Sequence, residues 1–308
     1  MTASGITSIC DGLRFPEAPI AMPDGTVVLA EMFAGRLTRV RPDGSKETVA
    51  EVPGGPNGAA VGPEGDLYVC NNGGCFSPVE HEGLLLPGPF DRSRYLGGSI
   101  QRVDPASGEV TQLYTECAGR PLRAPNDLVM DGHGGFYFTD HGIRDLRART
   151  SDLTGIYYAR CDGSAIAEVV FPVEGPNGIA LSPDGDVLYW AETHTGRVFR
   201  REVAGPGELV APPPLEDGML CGLAGRQFLD SMAVDAEGWV CVATIFNGGV
   251  TAISPDGERV EHHPTPDLLT TNVCFGGEDM DTAFVTLSGT GRLVSMRWPR
   301  RGLRLAHQ

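Results

Sequence analysis

Oxygen-bearing side chains recur at one point of a repeated sequence unit, beside or within an apolar stretch. They are two carboxylates and four amides: Glu17, Asn57, Asn126, Asn177, Asp230 and Asn272. No cysteine or histidine stands at this point of the unit, and hard divalent cations prefer ligand sets made of oxygen alone. We therefore predict one divalent cation as cofactor, with Ca²⁺ favoured and Mg²⁺, Mn²⁺ and Zn²⁺ as alternatives.

The six positions do not carry equal weight. An asparagine before a glycine is a common turn residue, so Asn57 and Asn177 taken singly also fit a purely structural role. Glu17 and Asp230 are more informative, because unpaired carboxylates in a buried channel are costly unless a cation matches them. Six protein ligands would leave no position for a substrate. A catalytic site is therefore expected to use four of them, with the others around it.

Repeated strand pairs must position these residues. In five copies a glycine follows eight positions after the oxygen-bearing residue, where a hairpin turn needs a positive φ: Gly25, Gly65, Gly134, Gly185 and Gly238. Fourteen positions after that residue, at or next to the end of a second apolar run, come Glu31, Asn71, Asp140, Ala191, Thr244 and Thr286. A third and a weaker fourth strand complete each unit. The pattern predicts an all-β fold, a six-bladed β-propeller of four-stranded antiparallel blades, with residues 1–308 as one domain and the cation on its axis.

Three longer connections interrupt the repeat, at about 72–98, 141–154 and 211–227. Propellers lengthen loops without disturbing strands. We expect the first and third to overhang the axial site. The alternative is that they are surface elaborations or an oligomer contact. In the first, His81, Arg92, Arg94 and Tyr95 are as compatible with ligand contacts as with ordinary surface positions.

Charge and hydropathy limit the partners. A formal net charge of −16 disfavours nucleic acid and anionic membranes, and no basic cluster lies beside stacking aromatic residues. The chain has no stretch of 18 apolar residues and no signal-peptide pattern at its start, so a cytoplasmic location is expected. The eight cysteines lie mostly in apolar runs, which predicts buried free thiols.

The motifs FPEAP, APNDLVMDGHGGFYFTD, GPNGIALSPDG, FLDSMAVDAEG and TTNVCFGGEDMDTAFVT together resemble the family of regucalcin (senescence marker protein), gluconolactonase and diisopropyl fluorophosphatase. The resemblance covers nearly the whole chain. It implies a six-bladed propeller with one axial cation, whose ligands would be Glu17, Asn126, Asn177 and Asp230. Asn57 and Asn272 match blades that supply no direct ligand in regucalcin-like members, and are expected around the site.

The chain also departs from that family. Regucalcin-like sugar lactonases carry an Arg-x-Asn-Asp-Gly motif, whereas here one more residue separates Arg123 from Asn126. The substrate-binding role of this arginine therefore does not transfer directly. Asp140 and His141 occupy a stretch where relatives have FTDP, and His141 fits a substrate contact as well as a solvated loop. The candidate substrate-binding residues are Asn57, Arg123, Asp140, His141 and Asn272.

The resemblance implies hydrolysis of a cyclic ester, an aldonolactone or a related lactone, as the small-molecule substrate. In this hypothesis the cation polarises the carbonyl and stabilises the oxyanion, while an activated water attacks. Asp230 is the candidate catalytic residue, as general base, although a nucleophilic role has been proposed for its counterpart in phosphotriester-cleaving relatives. The alternatives are a phosphotriesterase or arylesterase on the same metal site, and a non-catalytic metal-stabilised propeller that binds a protein. The oligomeric state stays open.

Overall fold

Glycine turns pair the strands of this protein into antiparallel hairpins. In the computed structural model, which describes residues 5–307, Gly25, Gly65, Gly134, Gly185 and Gly238 have φ values of 82, 84, 80, 78 and 81°. Glycine adopts this left-handed backbone conformation without steric strain, whereas residues with a Cβ are strained in it. The positive φ predicted at these five turns is confirmed.

The strands form six four-stranded blades that follow one another along the chain. Blade 1 contains Pro16–Ala21, Val27–Glu31, Arg36–Val40 and Lys46–Glu51. Blade 2 contains Pro56–Val61, Leu67–Asn71, Ser99–Val103 and Val110–Tyr114. Blade 3 contains Pro125–Met130, Gly135–Asp140, Thr154–Arg160 and Ile166–Val173.

The second half repeats the pattern with two variations. Blade 4 contains Pro176–Leu181, Val187–Glu192, Arg197–Gly205 and Met219–Gly222, and the short Glu208–Leu209 also pairs with its third strand. Blade 5 contains Phe228–Val234, Val240–Ile245, Gly249–Ile253 and Val260–Pro264. Blade 6 contains Thr270–Gly276, Thr282–Leu287 and Arg292–Arg297, and its outer strand is Ile6–Cys10 from the start of the chain.

The first strand of every blade lies innermost, against the first strands of the blades on both sides, so that the six close a ring. Apolar side chains fill the space between blades. Ile20 and Val28 of blade 1, for example, pack in one cluster with Val61 and Val69 of blade 2. The predicted six-bladed, all-β architecture is confirmed. Pairing of Ile6–Cys10 with Arg292–Arg297 brings the first described strand and the last strand into one blade.

Short hairpins occupy the long connections. Pro78–His81 pairs with Leu84–Pro87, Glu116–Cys117 with Arg120–Pro121, and Arg144–Asp145 with Thr150–Ser151. The predicted insertion at 211–227 is in part the outer strand of blade 4. The eight cysteines are free, and all but the half-buried Cys221 are buried, as predicted. Residues 5–307 include no helix with the length and hydropathy of a membrane span.

Candidate functional site

The oxygen-bearing residues lie at irregularities in the inner strands. In four blades, two residues of the inner strand face one residue of its neighbour, and the oxygen-bearing residue is the first of the two: Asn57, Asn126, Asn177 and Asp230. Such bulges turn a side chain away from its regular direction. In blades 1 and 6 the irregularity is displaced, following Glu17 and preceding Asn272. Proline begins the inner strand of blades 1 to 4, where no ladder hydrogen bond is required of it.

The glycines after Asn57 and Asn177 serve close packing between blades. A Cβ on Gly178 would lie 2.6 Å from the Met232 nitrogen and 2.7 Å from the Asp230 carbonyl oxygen. A Cβ on Gly58 would lie 2.5 Å from the Asn126 carbonyl oxygen. Both asparagines lie inside strands, so the alternative that they belong to Asn-Gly turns is wrong.

Three of the four predicted ligands hold a buried oxygen with no hydrogen-bond partner: Glu17 Oε2, Asn126 Oδ1 and Asn177 Oδ1. Glu17 is 2% exposed and Asp230 is 8% exposed. Buried polar atoms are almost always paired, because an unmade hydrogen bond costs about 1–3 kcal/mol. Three such oxygens in one ring therefore indicate that a group outside the protein pairs with them.

The electrostatics of the ring favour a positive charge. Burial raises the pKa of Glu17 well above its ordinary value, and the negative charges of Asp230 and Asp127 raise it further. Burial and the charge of Asp127 likewise raise the pKa of Asp230. Two buried carboxylates whose charges repel each other resist ionising together. A cation between them would remove that penalty.

A hydrogen bond orients the Asn177 side chain. Asn177 Nδ2 donates to Thr193 Oγ1 at 3.1 Å. The Asn177 side chain also lies beside Asp230 and opposes the rise in the pKa of that carboxyl, and Thr271 and Asn272 do the same for Glu17. The Asn177 nitrogen is thus held on one side, and the unpaired oxygens of Glu17 and Asn177 stay available.

The residues fit a hard cation. Two carboxylates and two amide carbonyls supply oxygen alone, the set that Ca²⁺ and Mg²⁺ prefer. Within residues 5–307, no group of three or more His, Cys, Asp or Glu side chains is arranged to hold a metal ion. Cation binding would therefore depend on the amide oxygens of Asn126 and Asn177 as much as on the carboxylates.

A cavity of about 570 Å³ opens directly over the ring, and Glu17, Asn57, Asn126, Asn177 and Asp230 contribute to its lining. Residues 75–76 and 87–90 of the first insertion form part of its wall, as expected. The expectation for the third insertion is wrong, because no described residue of 211–227 lines the cavity. The second insertion takes that place, with residues 141–144 and Leu146.

In blades 1 to 3, the residue fourteen positions after the oxygen-bearing residue hydrogen-bonds the segment that leads into the inner strand. Asp140 accepts hydrogen bonds from the backbone amides of Arg123 at 2.6 Å, Ala124 at 2.7 Å and Gly142 at 3.0 Å. Glu31 and Asn71 accept backbone amides in the same way, from Arg14 at 2.7 Å and from Gly55 at 2.9 Å. Glu31, Asn71 and Asp140 therefore fix the segments that place the oxygen-bearing residues of blades 1 to 3.

The candidate substrate contacts separate into three groups. Asn57 and His141 line the cavity. Arg123 and Asp140 do not. Arg123 Nε donates to Asp152 Oδ2 at 2.7 Å. The oxygens of Asp140 accept hydrogen bonds from the backbone amides described above. Asn272 lies beside Glu17 and lines a separate space of about 70 Å³ farther along the inner strands.

Sequence reasoning missed several residues of the site, among them Thr193, His194 and Asp127. Thr193 and His194 line the cavity from the segment just after the second strand of blade 4. Asp127 follows Asn126 where blades 2 and 4 have glycine. It accepts the backbone amide of Leu128 at 2.9 Å, and burial raises its pKa to about 7. The sequence signal for Asp127 was a carboxylate at the position where blades 2 and 4 have glycine.

Known proteins resemble this chain over most of its length. Lactonase drp35 of Staphylococcus haemolyticus is 28% identical over 243 residues, which is 76% of this chain. The chain spans 64% of that relative's length. Lactonase drp35 of Staphylococcus aureus strain MRSA252 is 26% identical over 256 residues, covering 80% of this chain and 67% of that protein.

Solved structures share the fold. A gluconolactonase from Xanthomonas campestris superposes with a TM-score of 0.75 at 23% identity, over 96% of this chain and 89% of that one. A calcium-binding regucalcin from Agrobacterium tumefaciens gives 0.72 at 19% identity, over 98% of both chains. The family model described as SMP-30/Gluconolactonase/LRE-like region matches residues 15–289. This chain therefore belongs to the SMP-30/gluconolactonase/LRE-like family.

Proposed function

We propose that this protein is a divalent-cation-dependent hydrolase that opens a lactone to a hydroxy acid. The observation that carries the proposal is the ring of unpaired buried oxygens on Glu17, Asn126 and Asn177, at the floor of an open cavity. Relatives named as lactonases, and a gluconolactonase of the same fold, support the choice of a lactone.

Glu17, Asn126, Asn177 and Asp230 would hold the cation, with Ca²⁺ as the best match to an all-oxygen set. A calcium-binding protein of the same fold supports this choice. When bound, a divalent cation supplies Lewis-acid polarisation of the lactone carbonyl and stabilises the negative charge of the transition state.

In this proposal Asp230 acts as general base. Its side chain lines the cavity, where a water that enters from the cavity side would meet the carboxylate. It would take one proton of that water as the water oxygen bonds to the carbonyl carbon, and the ring C–O bond would then break. The proton returns to the released alkoxide, which leaves a hydroxy acid. Asn57 and His141 would contact the substrate from the wall.

The open cavity argues against a non-catalytic propeller. A structural cation would be enclosed by protein ligands, whereas here about 570 Å³ of space adjoins the ring. Asn272 lies beside Glu17 but lines the other space, so the six residues do not form a ring of equivalent ligands.

The test is hydrolysis of a lactone panel by the purified protein, after chelation and after return of Ca²⁺, Mn²⁺, Mg²⁺ or Zn²⁺. Activity should disappear with chelator and return with a cation. Asp230→Asn should lower kcat by about 10²- to 10⁴-fold with an unchanged circular dichroism spectrum. Lactone turnover that survives complete cation removal, or full activity in Asp230→Asn, would refute the proposal.

A further inference from the structure

The wall of the axial cavity is unusually apolar for a site that would receive a sugar derivative. Its side chains above the oxygen ring are mainly aromatic or aliphatic: Phe15, Met32, Phe76, Phe90, Ile143, Leu146, Phe228 and Ile245. Cavities for small molecules use a few polar groups to orient a ligand, and the rest of the wall matches the ligand's own surface. The composition of the wall therefore indicates how apolar the substrate is.

Four aromatic rings form a continuous belt along one side of this cavity. Phe76, His141, His194 and Phe228 follow one another with ring centroids 6.3, 5.6 and 5.4 Å apart. Burial lowers the pKa of His141 and lowers that of His194 to about 3, so both rings are neutral at pH 7. The two histidines therefore extend the aromatic surface rather than adding charge.

Hydrogen-bonding side chains around the ring are few: Asn57, His141, Arg144, Thr193 and His194. The Thr193 hydroxyl already accepts a hydrogen bond from Asn177, and His141 Nδ1 lies 3.3 Å from the Gly142 carbonyl oxygen. Arg144 is exposed at the mouth. An aldonolactone carries a hydroxyl on nearly every carbon, and a pocket that leaves those hydroxyls unpaired binds it poorly.

At the mouth of the cavity, the apolar wall extends to the solvent-exposed surface of the protein. Leu146 lines the cavity yet is 76% exposed, on the short hairpin of the second insertion. A substituent that leaves the cavity beside Leu146 would cover this side chain. Leu153, in the same insertion and 63% exposed, does not line the cavity.

We propose that this cavity selects a lactone whose ring carries an alkyl or aryl substituent, in preference to a polyhydroxylated aldonolactone. This inference rests on the proposed lactonase function and names its substrate class. The oxygen ring would receive the ester group, and the aromatic belt together with Leu146 would receive the substituent.

Three six-membered lactones separate the possibilities: δ-valerolactone without a substituent, δ-nonalactone with a butyl chain, and glucono-δ-lactone with hydroxyls. Each kcat/KM, measured with Ca²⁺, is divided by the lactone's own hydroxide-catalysed rate constant. Because each buried methylene favours binding about fourfold, δ-nonalactone should exceed δ-valerolactone by at least about tenfold. Glucono-δ-lactone should fall below both.

Leu146→Ser should remove about fivefold or more of the preference for δ-nonalactone over δ-valerolactone. Leu153→Ser is the matched control, with no change for either lactone. Both side chains are exposed, so neither substitution threatens folding. An unchanged preference in Leu146→Ser, or the same loss in Leu153→Ser, would contradict the assignment of Leu146.

Binding of non-hydrolysed lactams gives a readout that does not depend on turnover. In calorimetry, 6-butylpiperidin-2-one should bind at least about tenfold more tightly than piperidin-2-one. Equal binding, or a glucono-δ-lactone rate above that of δ-nonalactone, overturns the substrate class and leaves the lactonase function intact. Absence of turnover for all three lactones, with tight butyl-lactam binding, refutes the lactonase function while the apolar selectivity stands.

Discussion

The Asn177 amide nitrogen donates a hydrogen bond to the Thr193 hydroxyl at 3.1 Å, and this bond fixes which side of the amide is available to a ligand. With the nitrogen held by Thr193, Asn177 Oδ1 is left without a protein partner. Thr193 belongs to the segment just after the second strand of its blade, so the blade itself orients its own candidate ligand.

Thr193→Val should therefore weaken cation binding. Valine keeps the volume but removes the acceptor, so the Asn177 amide loses its orientation. Groups that orient a metal ligand typically contribute 10- to 100-fold in affinity, and a similar loss is expected here by calorimetry with Ca²⁺. Thr193→Ser retains the hydroxyl and should bind the cation as the wild type does. Equal affinities in the valine and serine variants would contradict this orienting role.

Gly178→Ala should disturb Asp230 from the neighbouring blade. The new Cβ would meet the backbone of Asp230 and Met232 at 2.6–2.7 Å, far inside contact distance. Backbone cannot give way as a flexible side chain can, so we expect about 1–3 kcal/mol of lost stability and weaker cation binding. Urea unfolding and calorimetry measure the two effects.

Gly205→Ala provides the control, in the same blade. A Cβ there would meet only the Glu208 side chain, at 3.8 Å, and its backbone has no positive φ. Stability should change by less than about 0.5 kcal/mol. Equal losses in the two variants would show that the effect is generic to glycine replacement in blade 4 and not due to the approach of Asp230.

Asp140→Asn tests whether this carboxylate supports the backbone or contacts substrate. The amide keeps one acceptor oxygen and places an NH₂ group against one of the backbone amides of Arg123 and Ala124. Loss of a buried hydrogen bond of this kind costs about 1–3 kcal/mol. The melting temperature should fall while the KM for a lactone stays within about twofold. A large rise in KM at unchanged stability would indicate direct substrate contact instead.

Repetition explains why so much of this architecture was predictable. Proline, the oxygen-bearing residue and the turn glycine recur at fixed spacings because each blade must make the same hairpin and present the same register to the axis. The ring residues Glu17 and Asp230 stood out as charged members of a mainly amide set. Both lie in the cavity floor, as a repeated register implies.

Residues without a repeated identity were harder to foresee. Met32 and Ile245 were not predicted, and His141 was predicted only from its place in the family motif. All three come fifteen positions after their oxygen-bearing residue and line the cavity, but they share no chemistry. In blade 4 the hairpin contains one additional residue, which shifts this position to Thr193. The fixed spacing therefore does not identify Thr193. The 211–227 segment was misassigned because its outer strand is only four residues long and lacks clear alternation.

Glu17→Gln should stabilise the cation-free protein and destabilise the cation-bound one. The folded pKa of Glu17 is raised by burial and by the charges of Asp230 and Asp127. A carboxyl of raised folded pKa contributes its full stability below the unfolded value of about 4.3, and loses it as pH rises toward the folded value. Glutamine removes that loss, worth about 1.4 kcal/mol for each unit between the two pKa values.

Urea unfolding from pH 4 to pH 8 tests this prediction. With chelator, Glu17→Gln should be the more stable protein at pH 8, and the advantage should shrink toward pH 4. With Ca²⁺ at a hundredfold excess over its Kd, the wild type should gain about 2.7 kcal/mol, because the cation binds only the folded state. Glu17→Gln should gain little, since one charged ligand is missing. If both proteins gained equally from Ca²⁺, the cation would bind elsewhere than between Glu17 and Asp230.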